Sequence, residues 1–187
     1  MLLKTPLFLF LVLSLHLGAA ECNVFRSVPI RLINEAAVNP KVVIAAQREA
    51  EYVLKSLCVD LEWAAGPGIN ALEMRITVAP LGPGITKGSL GITILDADRG
   101  NRGAVFASRV RALQAAYKSR IDAGRLLGCV LAHEIGHLLL NSRAHSPEGV
   151  MAAHFRDAEI YRAAQRRLTF TRADRERFFG TQIARGF

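Results

Sequence analysis

The chain has 187 residues, 51% of them hydrophobic, with 24 Lys and Arg against 16 Asp and Glu for a formal charge of +8. That length supplies one domain with its own core and leaves little room for another. The positive excess favours acidic surfaces or substrates, but the arginines are spread over several segments rather than ranged on one stripe with interleaved aromatics, so no nucleic-acid partner is expected.

The first twenty residues, MLLKTPLFLFLVLSLHLGAA, join a short start carrying Lys4 to an apolar run that ends in small residues. They read as a signal peptide over 1–20, with Gly18 and Ala20 meeting the small-residue requirement for cleavage and a single domain over 21–187. The expected location is secreted or periplasmic. Glu21 stands where a lipid-attachment motif at Cys22 needs a small residue, and no second apolar run is long enough to span a bilayer, so no membrane contact is expected after cleavage. The first strand starts so soon afterwards that no inhibitory propeptide of useful length is expected. Cys22 and Cys58 can pair in an oxidising compartment, and the spacing alone leaves the pairing open. Cys129 sits in a very apolar run and reads as a small buried residue.

Val28, Ile30 and Leu32 alternate in a first predicted strand. Asn39-Pro40 then reads as an N-cap with proline at the first helical position, and apolar residues from Val43 to Cys58 recur at helical spacing behind it. Val59, Leu61 and Trp63 alternate in a second strand, and Leu72, Met74, Ile76 and Val78 in a third after the Gly66-Pro67-Gly68 break. Beyond the PLGPG loop, Leu90, Ile92 and Ile94 alternate in a fourth strand. The run DADRGNRG turns the chain into AVFASRV, 104–110, a predicted fifth strand anchored in the core by Phe106 and Val110. Asp96 and Asp98 open like a calcium loop, but Ala107 stands where its closing glutamate belongs, so a hairpin turn is preferred. Asp122 caps a helix running through GRLLGCVLAHEIGHLLL. A further helix is predicted over Asp157 to Arg167, and Thr171 with Asp174 offers a capping box for a terminal one. The order implies an α+β fold, a mixed sheet of four to five strands with a backing helix and a second long helix, followed by an irregular and helical C-terminal part.

Chemistry concentrates in AHEIGHLLLNSRAHSPEGVM, residues 132–151. His16 apart, every histidine of the chain (His133, His137, His145 and His154) falls within residues 133–154, a gathering that core packing does not require. On a helix, positions i and i+4 share a face, so His133 and His137 can aim at one ion. Glu134 lies about 100 degrees round the helix, placed to reach a water rather than the ion. Cys129, one turn before His133, is not a fourth ligand, because successive turns of one helix cannot wrap an ion tetrahedrally.

HEIGH, His145 and Met151 together resemble the metzincin clan of zinc peptidases, and HSPEGVM is similar to the matrixin pattern of a third histidine followed by a methionine turn. The resemblance covers about Ser27 to Met151. It implies a zincin-like fold, Zn2+ held by His133, His137 and His145, Glu134 as general base, Met151 in a tight turn beneath the metal, and a protein or peptide substrate. It also implies that an edge strand, Leu90 to Ile94 or Ala104 to Val110, aligns that substrate by strand addition. The clan pattern HExxHxxGxxH would place glycine at 140 and histidine at 143, where this chain has Leu140 and Arg143. Asn141 can supply the left-handed turn that the glycine normally makes, leaving Ser142-Arg143-Ala144 as a longer loop to His145. A gluzincin-type site with Glu159 as third ligand stays open, as does a zinc-binding module without turnover, although the presence of Glu134 argues against the latter. His154 reads as a surface or supporting histidine. For an oxyanion donor, Tyr117 and Tyr161 are the available candidates, and a monomer is expected.

Overall fold

The computed structural model describes residue 22 and residues 26–64, 71–80, 85–96, 100–118 and 120–184. The predicted signal peptide, the Gly66-Pro67-Gly68 break, most of the PLGPG loop and Asp98 lie outside the described residues. In chain order the elements are β1 (Arg26–Asn34), α1 (Pro40–Leu54), β2 (Val59–Ala64), β3 (Leu72–Thr77), β4 (Gly91–Ile94), β5 (Arg102–Phe106), α2 (Ala107–Ala116), α3 (Ala123–Leu140), α4 (Asp157–Ala164) and α5 (Arg172–Ala184). The fold is α+β, with one mixed five-stranded sheet of order β2-β1-β3-β5-β4. The first four strands in that order run parallel, and β4 closes the row antiparallel to β5, as a hairpin requires.

Alternation decides which side chains face the helices. Val28 and Ile30 of β1, Val59 of β2, Met74 and Ile76 of β3 and Val105 of β5 point into a core shared with Ala46, Ala50, Val53 and Leu54 of α1 and Leu126, Val130, Leu131 and Ile135 of α3. The Asn39 side chain accepts from Lys41 N–H at 2.9 Å and Pro40 opens α1, as the sequence predicts. After α1 one 3-10 turn, Lys55–Leu57, leads to Cys58 in the left-handed region at φ 57°. Cys58 pairs with Cys22 across 5.4 Å between Cα atoms, tying the residues before β1 to the foot of α1. Such a bridge forms and persists in oxidising compartments and fits a secreted or periplasmic protein. Cys129 is free and buried.

Helix α3 is 18 residues long and apolar enough to cross a membrane by length and composition, contrary to the sequence expectation of no second such run, but 89% of it is buried inside the protein. It is a core helix, and α1 lies against it. Gly124 and Gly128 are one turn apart on the contact face, and a Cβ at Gly128 would sit 2.5 Å from the Ala46 carbonyl oxygen and from Glu49 Cβ. Glu49 is buried at this contact, and its carboxylate meets Arg166 at 3.2 Å and Arg125 at 3.9 Å. Burial pushes the Glu49 carboxyl above its ordinary range against the pull of both guanidinium groups.

One expectation for the sheet is corrected. The run AVFASRV is not one strand: β5 stops at Phe106 and α2 begins at Ala107. Phe106 and Val110 are both buried, but at helical spacing, and the Ala, Arg, Leu and Gln that follow favour helix. In β4 the inward face belongs to Gly91 and Thr93, not to the isoleucines. Antiparallel register pairs Ile92 with Ala104 and Ile94 with Arg102, which puts these isoleucines on the opposite face, where with Ile85 and Phe106 they line a hollow of about 500 Å³. Predicted helix 157–167 is shorter too, since α4 ends at Ala164 and Arg166 turns left-handed at φ 56°.

Replacing Gly128 by alanine should lower unfolding free energy by about 2 kcal/mol in a denaturant titration, because forcing α1 and α3 apart outweighs the roughly 1 kcal/mol that alanine adds to an isolated helix.

Candidate metal centre

Asp122 caps α3 by accepting from Arg125 N–H at 3.0 Å, and the helix carries His133, Glu134 and His137 into the interior, each less than a tenth exposed. The helix ends as the sequence suggests. Asn141 adopts the left-handed conformation at φ 46°, ψ 46°, Ser142 N–H returns to the His137 carbonyl at 3.2 Å, and Asn141 N–H returns to that of Leu138 at 3.3 Å. This paired closure of a helix end reverses the chain and sends Ser142, Arg143 and Ala144 back toward the histidines.

The same turn orients a ligand, because His137 Nδ1 lies 2.7 Å from the Ser142 carbonyl oxygen. His133 Nδ1 lies 2.7 Å from the carbonyl oxygen of Val150, the residue before Met151. Since a carbonyl can only accept, both rings carry their proton on Nδ1 and present a bare Nε2. The two Nε2 atoms face each other at 3.0 Å. Two lone pairs at that distance repel unless a cation lies beside both. A proton is disfavoured: burial, and then the neighbouring His137, pulls the His133 imidazole down to about 3, although the bond to Val150 acts the other way. Burial also lowers His137 and His145.

His145 completes the group. The ligand atoms of His133, His137 and His145 all lie within 4.8 Å of one another, the first two buried and the third exposed. The His145 ring stands 5.3 Å from that of His133 and 4.9 Å from that of His137. Three neutral imidazoles converging on one point fit a metal ion. For arms of about 2.0–2.1 Å to zinc, tetrahedral geometry places nitrogens about 3.3 Å apart, close to the spacing of the first pair. Met151 is fully buried in the turn that follows, with its Sδ under Gly136 between the two helical histidines.

Glu134 lines the same cleft as the three rings and is seated on β4. Thr93 Oγ1 donates to Glu134 Oε2 at 2.7 Å, and a Cβ on Gly91 would come within 2.5 Å of Glu134 Oε1, so a bare backbone is what lets the carboxylate lie against β4. Burial pushes the Glu134 carboxyl up to about 7, with the Thr93 bond working against it. These residues, with Leu90, Ile92, His154 and Phe155, line a cleft of about 530 Å³ whose wall on one side is β4, the last strand of the sheet.

Of the other candidates, Glu159 is not in the histidine group. It caps α4, accepting from Arg156 N–H at 3.2 Å. Tyr117 donates to Asp157 at 2.7 Å and Tyr161 is 66% exposed, and neither lines the cleft. Strand β5 is interior to the sheet, so Ala104 to Val110 offers no edge.

Asp174 caps α5 as the sequence predicts, accepting from Thr171 N–H at 2.9 Å and Thr171 Oγ1 at 2.7 Å, but it does more than that. Its other oxygen, buried, takes bonds from Ser146 Oγ and Arg177. Ser146 directly follows His145, and its N–H donates to the Met151 carbonyl at 2.8 Å. The sequence hint was an arginine three residues after the capping aspartate, which is also what an ordinary surface pair looks like.

No family model matches the chain, and no curated protein matches it. Eleven chains of solved structures do match. One, from GM1 bound form of the ECX AB5 holotoxin, is 14% identical over 85% of this chain and 80% of that chain, with a TM-score of 0.40, a likeness too distant to carry an argument.

Burial alone would raise the Asp174 carboxyl, but the bonds from Ser146, Thr171 and Arg177 overcome it and hold the group below its ordinary value. A depressed carboxylate adds stability that is complete above the unfolded value of about 4 and is lost as pH falls through the folded one. Asp174→Asn should therefore cost about 2–3 kcal/mol at pH 7 and show a shallower acid limb below about pH 4 than the parent. It should also weaken metal binding by about ten-fold or more, read by competition with a coloured chelator.

Proposed function

We propose that the protein is an exported zinc peptidase of zincin-like fold, in which His133, His137 and His145 hold the ion and Glu134 is the general base. The observation that carries this is the convergence of three neutral imidazoles with a separate, buried carboxylate beside them. The donor set suits zinc, a d10 ion bound by nitrogen in a three-ligand site that leaves one position open. When bound, zinc would polarise a scissile carbonyl and lower the pKa of water to about 7.

The chain's own residues supply the rest. Nδ1 bonds to Ser142 and Val150 fix the ring orientations and keep both helical ligands neutral. Glu134, seated on Thr93 and Gly91, accepts a proton from the attacking water and returns it to the leaving amine. Strand β4 offers its outer edge along the cleft to an extended peptide, whose main chain would pair as a further strand. Export is supported by the apolar leader at 1–20 and by the Cys22–Cys58 bridge.

Zinc content by elemental analysis tests the ligand set. The parent and Glu159→Ala should hold one zinc per chain and His145→Ala should lose it. Zinc retained by His145→Ala, or absent from the parent, would sink the assignment. Glu134→Gln should keep the metal yet lose hydrolysis of an unfolded protein substrate by 10²-fold or more.

A further inference from the structure

The charge left at the cleft is one-sided. Glu134 is the single carboxylate among the residues that line it, and its oxygens are occupied by Thr93 and backed by Gly91. Acidic residues of the neighbouring segments are engaged elsewhere: Glu148 with Arg162 at 2.8 Å, Asp157 with Tyr117 and Glu159 with the start of α4. Among the cations near the cleft, Arg109 is committed, donating to the Thr86 and Ser89 carbonyls and lying over the Phe106 ring, which pins the lip formed by residues 86–90.

Arg143 is different. It lines the cleft from the loop between His137 and His145, it is exposed, and among the described residues its guanidinium has no ion pair and no hydrogen bond. His154 lines the same cleft beside Gly88, and also has no hydrogen-bond partner among the described residues. Lys87 is exposed between the cleft residues Thr86 and Gly88. A guanidinium free to present its planar fork matches a carboxylate at two points, and the formal charge of +8 draws anions to the surface as a whole.

We infer that the cleft selects peptides carrying an aspartate or glutamate beside the scissile bond, with Arg143 as the specificity-determining residue. This rests on the peptidase reading and adds a substrate class to it. A side-chain carboxylate entering the cleft meets Arg143 and His154, and among the described residues that line it the one acid, Glu134, is buried against β4. An asparagine in its place keeps the shape and loses the charge.

The test uses two sets of internally quenched alanine-glycine octapeptides, differing only by Asp or Asn at each position flanking the bond. Zinc-loaded parent should cut the better Asp peptide about three- to five-fold faster in kcat/KM than its Asn twin, the range for a solvent-facing ion pair. That ratio should fall toward one in 0.5 M salt. Arg143→Gln should abolish the preference and Arg143→Glu should transfer it to a Lys peptide. Equal rates for both twins in the parent, or a preference that survives in Arg143→Gln, would overturn the inference. Binding of the same peptides to the zinc-loaded Glu134→Gln variant separates the two readings. Tighter binding of Asp peptides with no cleavage by the parent overturns the peptidase and leaves the acidic preference standing, whereas cleavage without preference does the reverse.

Discussion

Two imidazole nitrogens held 3.0 Å apart with their lone pairs face to face are the constraint around which the rest is arranged. Left alone, that contact is repulsive, and either ring could relieve it by turning. Neither can turn freely, because each Nδ1 proton is committed to a carbonyl, one in the turn that ends α3 and the other in the turn before Met151. Burial removes the remaining escape, protonation, by making the charged imidazole costly. The protein thus holds two groups in an arrangement compatible with a cation between them.

Maintaining that arrangement calls for rigid support. Helix α3 receives it from α1, where glycines allow close approach, and from the sheet, whose inward residues fill the space beneath. The hairpin of β4 and β5 adds a different service. By running antiparallel at the end of the sheet, β4 brings Gly91 and Thr93 against Glu134 and leaves its other edge along the cleft. The seat of Glu134 and one wall of the cleft therefore belong to one short strand.

Much of this was legible in the sequence because the signals are local. The i, i+4 histidines, the Asp122 cap, the Asn141 turn and the Asn39-Pro40 start depend on residues within a few positions of one another, and all appear where their spacing places them. The errors arise where distant partners decide. Val105 and Phe106 look like the start of a longer strand, and packing of Val110 against the core, with the helix-favouring residues after it, turns the remainder into α2. Ile92 and Ile94 alternate as an inward face would, but register against β5 sends them outward and gives the inner face to a glycine and a threonine. Choice between His145 and Glu159 likewise depended on where a loop returns, which spacing alone left open. The tie from Asp174 to Ser146 spans 28 residues, and its one local hint, Arg177, looks like an ordinary surface pair.

That last tie bears on timing. A ribosome releases the HEIGH helix well before residue 174, and chains fold from the N-terminus as they emerge. Until Asp174 and Arg177 arrive, Ser146 lacks the partners that hold it, and His145 sits on an unsecured loop. A partly made chain thus owns a two-histidine helix but not the secured turn that brings His145 to it. Arrival of the segment that carries Asp174 and Arg177 and fixing of the turn that carries His145 therefore become one event.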